Sequence, residues 1–203
     1  MLRIKQVVTS VVALLILLSG MTLAQVVSNQ AAPEFTLTDT NGQKHSLSEY
    51  KGKFVVLEWF NPDCPFVKKH YNSGNMPQLQ KEYTAKGVVW LSINSSAVGN
   101  QGSYTPQGFN KFVKDKGAAP TAVLLDTEGK VGRLYNAQTT PHMFIIDPKG
   151  ILIYQGAIDD TPGTGIEDLK KAKNYVSAAL DAAMNGKPIV VSATKSYGCS
   201  VKY

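Results

Sequence analysis

The stretch that most constrains this chain is Trp59-Phe60-Asn61-Pro62-Asp63-Cys64-Pro65-Phe66-Val67, an apolar strand that runs through a short turn into a cysteine and then a helix. Residues 53–60 (Lys-Phe-Val-Val-Leu-Glu-Trp-Phe) are rich in β-branched and aromatic side chains, the composition of a strand covered on both faces. Pro65 suits the first helical position, where a missing N–H is no loss. Cys64 then falls at the cap, with unpaired N–H groups and the positive end of the helix dipole aimed at its sulfur. That setting favours the thiolate, which is the nucleophile. Lys68, Lys69 and His70 add positive charge nearby, and Asp63 opposes it. The competing reading of Cys64 is a buried, inert packing residue.

Glu58 is the only charge inside the apolar strand, six positions before Cys64. A buried carboxylate is costly unless it is paired or protonated, so its pKa is expected to rise. An acid of that kind near a thiol is suited to moving the proton that thiol chemistry must move. An edge position with Glu58 facing water is the alternative.

Around this element the chain alternates strands and helices. Glu34–Asp39 and Lys44–Leu47 flank Asn41-Gly42, a hairpin signal. The helix after Cys64 is expected to break at Asn72-Ser-Gly-Asn75, resume at Pro77 and stop at Lys86-Gly87, before a second buried strand at Val88–Ile93. Polar Asn94–Tyr104 leaves the carboxyl end of that strand, the edge where open α/β sheets bind ligands. A helix from Thr105-Pro106 to Gly117, a strand at Thr121–Leu125 and a short helix at Glu128–Tyr135 follow. Met143–Ile146 and Ile151–Tyr154 are strands joined by a turn at Asp147-Pro-Lys-Gly150. Thr164-x-x-Glu167 reads as a capping box opening a helix that carries Ile166, Leu169, Val176, Leu180 and Ala183 inward and stops at Gly186. In the tail, Ile189–Val191 is β-prone.

Residues 1–24 read as a signal peptide: Arg3 and Lys5 at the start, an apolar run from Val7 to Leu18, and Thr22-Leu23-Ala24 before the cleavage point. The run is short for a membrane span, so no stable membrane insertion is expected after cleavage. Residues 25–203, including a tail at 188–203, then form one domain. The expected location is periplasmic or secreted. Of 21 basic residues, Arg3 and Lys5 leave with the leader, so 19 face 15 acidic ones. That balance is modest and spread out, which argues against nucleic acid as a partner. Cys64 and Cys199 are the only cysteines, and an exported chain keeps disulfides.

The buried strand with its acid, the Trp-Phe pair and the helix-opening cysteine resemble thioredoxin-fold proteins, and within them the redoxin (peroxiredoxin-like, AhpC/TSA-type) group of secreted proteins. Ala32-Pro-Glu-Phe-Thr-Leu37, Asp39-Thr-Asn-Gly-Gln43, Thr140-Pro-His-Met-Phe-Ile-Ile-Asp147, Gly156-Ala-Ile-Asp-Asp160 and Tyr197-Gly-Cys-Ser200 carry the likeness. It implies an α/β, thioredoxin-like fold with an N-terminal β-hairpin and a central αβ insertion. It also implies a cis Thr140–Pro141 bond facing Cys64, with the backbone of Thr140 free to pair with a partner's extended chain.

Thr140, Pro141, His142 and Pro65 are therefore the candidate substrate-binding residues, beside catalytic Cys64, Glu58 and Cys199. His142 is either a proton carrier or weak metal ligand near Cys64, or a hydrogen-bonded histidine pointing away from the sulfur; His45 and His70 are expected to face solvent. Cys199 could resolve a Cys64 mixed disulfide or sulfenate, staple itself to Cys64, or join another chain; a mobile tail suits the first. Asp159-Asp160 suit capping and turn formation better than a cation site. No metal or other cofactor is expected.

Two departures from the relatives matter. Thioredoxins carry CxxC, and here the second position is Val67. Peroxiredoxins place their peroxide-attacking cysteine at that second position too, with a hydroxyl and an arginine; Pro62 and Asp63 supply no hydroxyl, and Arg133 is the only arginine after the leader. The reading is an exported thiol oxidoreductase acting on a thiol or disulfide protein, a small thiol or a peroxide. A peroxidase of unusual layout and a non-catalytic binding module are the alternatives.

Overall fold

The computed structural model describes residues 27–203; the leader expected at 1–24 lies outside them. A seven-stranded mixed sheet forms the centre. Its strands are β1 (Thr36–Asp39), β2 (Lys44–Ser46), β3 (Val55–Trp59), β4 (Val89–Asn94) and β5 (Ala122–Leu125), which precede two short strands and a last pair. β6 (Thr139–Thr140) stands apart and pairs with β9 (Cys199–Ser200), while β7 (His142–Ile146) and β8 (Leu152–Gly156) complete the main sheet. The order is β2-β1-β5-β4-β3-β7-β8, with β3, β4 and β5 parallel and the outer pairings antiparallel. This is the mixed α/β, thioredoxin-like architecture that the sequence implies.

β3 is buried along its whole length because both faces of the sheet are covered. Side chains alternate across it. Val56 and Phe60 enter one core with Met143 and Ile145 of β7, and Cys64 belongs to that same core. Val55, Leu57 and Trp59 enter the other, with Phe144, Ile146 and Tyr135. The first core is roofed by α1 (Pro65–Asn72), α2 (Asn75–Ala85), α3 (Pro106–Asp115) and, later in the chain, α5 (Tyr175–Met184). α4 (Lys130–Leu134) packs on the second.

Local chemistry explains the breaks. Gly74, at φ +79°, separates α1 from α2, and α2 resumes at Asn75 rather than Pro77. Thr105 caps α3 by accepting from the Gly108 N–H at 3.1 Å. The helix expected from Thr164 does not form there. Glu167–Lys170 is a single 3-10 turn with no side-chain cap, and Ile166 is exposed. α5 begins only at Tyr175, where Asn174 accepts from the Ser177 N–H at 2.9 Å. The capping-box pattern is local, and among the described residues none covers residues 164–170, which stay exposed or half-buried. Ile189–Val191 likewise form no strand; the tail meets β8 through a bridge of Gln155 with Ala193. Among the described residues no helix is long and apolar enough to cross a membrane.

Candidate active site

Cys64 caps α1 in extended conformation (φ −69°, ψ 125°) with Pro65 at the first helical position. Its turn is tied by the Cys64 N–H to the Asn61 carbonyl at 3.0 Å and by the Asp63 N–H to Asn61 Oδ1 at 2.8 Å. The loop after β4 closes over it. Asn61 donates to the Gln101 carbonyl at 3.0 Å, and Asp63 accepts from the Gly102 N–H and the Tyr104 hydroxyl at 3.1 and 2.8 Å. Gly102 lies so close that a Cβ there would meet Asn61 Oδ1 at 2.1 Å.

The Thr140–Pro141 bond is cis. The Cys64 thiol donates to the Thr140 carbonyl at 3.1 Å, and Cys199 lies opposite with its sulfur 2.8 Å from that of Cys64, both as free thiols. β9 pairs antiparallel with β6, setting Cys199 against Thr140 and Ser200 against Thr139. The tail thus occupies the strand position beside the cis-proline. Cys64 is 0% exposed beneath it, while Cys199 is half-buried.

Burial works against ionisation of Cys64. Interactions of the sulfur with the side chains of Cys199 and Thr140 and with the Val67 amide outweigh it and hold the thiol below its ordinary range. Cys199 is pushed up to about 11, by burial first and then by Cys64 beside it. The two sulfurs are thus driven apart in acidity. The expected electropositive surroundings are not the cause. Lys69 and His70 are buried under the tail, and burial lowers His70 to about 3, so it is neutral. His45 also turns inward, onto Asp39 and Tyr50.

Glu58 is 0% exposed and accepts from four donors: the Tyr71 hydroxyl (2.8 Å), Gln80 Nε2 (3.0 Å), Trp90 Nε1 (2.8 Å) and the Ser92 hydroxyl (2.8 Å). Burial raises its pKa against those four bonds. Cys64 is not among its hydrogen-bond partners; Tyr71 of α1 connects Glu58 to the helix that Cys64 caps. His142 shares the parity of Phe144, its ring centroid 4.5 Å away, and so lies on the sheet face opposite Cys64. Its Nδ1 accepts from the Gln138 N–H at 3.3 Å, and burial lowers it to about 4. Of the two readings of His142, the structure places the ring as the second has it. Asp160 accepts from the Lys173 N–H, and Asp159 from the Thr161 N–H. Arg133 bonds the Glu128 carbonyl and stacks on Tyr203.

Beyond Cys199 the tail is hydrogen-bonded to the body of the fold. Tyr203 donates to the Ala137 carbonyl at 2.7 Å, the Ala97 N–H binds the Lys202 carbonyl at 2.8 Å, and the Val201 N–H binds the Gln138 carbonyl at 3.1 Å. Tyr197 is clasped by buried polar groups (below). A pair of tyrosines flanking the tail cysteine was the available sequence signal for this strap.

A strand entering a helix-capping cysteine that faces a cis-proline defines a thioredoxin-like protein with one cysteine where CxxC has two. The chain belongs to the AhpC/TSA family, whose profile matches residues 28–155. It is 32% identical over 122 residues to the thiol-disulfide oxidoreductase ResA of Bacillus subtilis, covering 60% of this chain and 63% of that relative's length. A crystal structure of an uncharacterized conserved protein from Geobacillus kaustophilus aligns over 89% of this chain and 94% of that one, at 28% identity and a TM-score of 0.76. A putative thiol:disulfide interchange protein DsbE from Chlorobium tepidum aligns over 64% and 85%, at 27% identity and a TM-score of 0.53. The family profile stops before the tail, so Cys199 lies outside it.

Proposed function

We propose that the chain is an exported thiol-disulfide oxidoreductase whose redox couple is Cys64 and Cys199. The observation that carries this is the docking of Cys199 against Cys64 and Thr140. It supplies from the tail the second thiol that Val67 cannot. The names of the B. subtilis and C. tepidum proteins support the reaction class. The basic, apolar and small-residue pattern of residues 1–24 supports export.

The Cys64 thiolate attacks one sulfur of a substrate disulfide, forming a Cys64 mixed disulfide and releasing the other substrate sulfur as a thiolate. Cys199, deprotonated, then attacks the Cys64 sulfur; the Cys64–Cys199 bond forms and the second substrate thiolate leaves. The substrate is reduced by two electrons and the protein oxidised by two. A dithiol reductant returns the couple, and the same steps run in reverse oxidise a substrate dithiol. Because Cys64 is sealed, β9 must lift for the first step, and the substrate's extended chain takes its place on Thr139–Thr140 beside Pro141 and Pro65. Glu58 acts through Tyr71 by fixing α1, and His142 braces the strand behind Pro141.

Oxidised glutathione with mass-spectrometric mapping tests this. Wild type should form the internal disulfide, Cys199→Ser should accumulate a glutathione adduct on Cys64, and Cys64→Ser should lose turnover. Turnover retained in Cys64→Ser would overturn the reading.

A further inference from the structure

Outside the sulfur pair, three polar side chains are buried together: Lys69 (2% exposed) and His70 (0%) on α1, and Asp159 (2%) after β8. All three converge on the phenol oxygen of Tyr197. That hydroxyl donates to Asp159 Oδ1 at 2.5 Å, lies 3.1 Å from His70 Nε2 and accepts from Lys69 Nζ at 3.4 Å. His70 Nδ1 faces the Asn75 amide nitrogen at 2.8 Å. An amide NH₂ can only donate, so Nδ1 accepts and the ring proton sits on Nε2, pointing at Tyr197. The hydroxyl therefore uses its one donor and both acceptor positions. Lys69 also lies 5.1 Å from the centre of the Tyr197 ring and donates to the Thr161 carbonyl at 2.7 Å. Among the described residues Asp159 Oδ2 has no hydrogen-bond partner, and it is 3.9 Å from His70 Nε2. A half-satisfied buried cluster is poorly explained as a stability device.

Its position suggests another use. Lys69 and His70 stand on the helix that Cys64 caps, and Tyr197 stands two residues before Cys199. We propose that Tyr197 is a positioning residue for the exchange between Cys64 and Cys199, clasped by Lys69, His70 and Asp159 so that the tail sulfur is held in register with the helix that carries its partner. This rests on the reading of the two cysteines as the redox couple. The clasp lies upstream of Cys199, so the pairs Thr140–Cys199 and Thr139–Ser200 can open to admit a substrate while Tyr197 stays bound. With the clasp before it and the bonds of Val201, Lys202 and Tyr203 after it, Cys199 returns to a fixed place. Such tethering raises the effective concentration of the second thiol and leaves the first attack untouched.

Tyr197→Phe tests it, since it removes the hydroxyl and keeps the ring against Phe66 and Lys69. Equilibration with reduced and oxidised glutathione gives the effective concentration of the couple, and rapid quenching gives the two steps separately. The effective concentration and the rate of the second step should fall about tenfold or more, the span of one hydrogen bond to charged partners. Formation of the Cys64–glutathione adduct should not slow. Asp159→Asn keeps an acceptor for the phenol and should retain most of the second-step rate, which also separates the clasp from a folding defect in Tyr197→Phe. Wild-type values for both steps in Tyr197→Phe, with the internal disulfide forming normally, would overturn the clasp alone. A wild-type protein that never forms the Cys64–Cys199 disulfide would overturn the couple and the clasp together.

Discussion

Gly198→Ala should uncover Cys64. Gly198 sits at φ +130°, a region that L side chains rarely adopt, and a Cβ there would lie 2.1 Å from the Thr140 oxygen and 2.8 Å from its carbon. Those are backbone atoms beside the cis-proline, so no side chain can rotate out of the way. The backbone conformation alone costs about 1–3 kcal/mol, and overpacking adds about 1–3 kcal/mol. A conservative total of about 2–3 kcal/mol, at 1.4 kcal/mol per factor of ten, shifts the docked tail toward the lifted state about 30- to 150-fold. Cys64 is reached by reagents only from that lifted state, so its labelling rate rises by the same factor while lifting remains rare. The assay is iodoacetamide labelling of the reduced protein, quenched in time and mapped by peptide mass so that the two cysteines are scored separately. Melting of the seven-stranded sheet should persist, because the β6–β9 pair lies outside it. Labelling of Cys64 in Gly198→Ala at the wild-type rate would refute the docking that the functional reading depends on.

Further outcomes follow from buried groups elsewhere. Glu58→Ala strands Trp90 Nε1, Gln80, Ser92 and Tyr71 without their shared acceptor, and, at about 1–3 kcal/mol for each unsatisfied buried donor, urea unfolding should register a loss of about 4 kcal/mol or more. Glu58 binds its proton more tightly folded than unfolded. Its linkage therefore lowers stability as pH rises from about 4.5 through its raised folded value, and Glu58→Gln should remove that slope from a pH series of melts. His70 and His142 have the opposite sense: lowered to about 3 and about 4, they are neutral in the fold and protonate on unfolding below pH 6.5. Each should subtract about 1.6 kcal/mol between pH 6.5 and 5, and His142→Gln should recover its share in the same series. Gly102→Ala, at φ +82° and with its Cβ 2.1 Å from Asn61 Oδ1, should strain the loop over Asp63 and lower stability to urea by about 1–3 kcal/mol.

What could be read in advance was local in the chain. The β1–β2 hairpin turns at Asn41-Gly42, α1 breaks at Gly74, and Thr105 caps α3, all as residue chemistry a few positions wide requires. Local signals also misled. Thr164 and Glu167 have the spacing of a capping box, yet nothing buries that segment, and α5 starts at Asn174. His70 reads as a surface residue because its helix neighbours are Lys68 and Lys69; in the fold it is buried against Asn75, Asp159 and Tyr197, the last 127 positions later.

By itself the sequence determined that an apolar strand feeds a helix-capping cysteine next to one interior acid, since periodicity, proline placement and burial preference act within a few residues of one another. Only the tertiary structure decided that Glu58 bonds four donors rather than the thiol, that His142 faces away, and that Cys199 meets Cys64 across 135 residues. Such meetings depend on close approaches, at Gly198 and around the Tyr197 hydroxyl. They are set by how distant segments pack, which no short window of residues encodes.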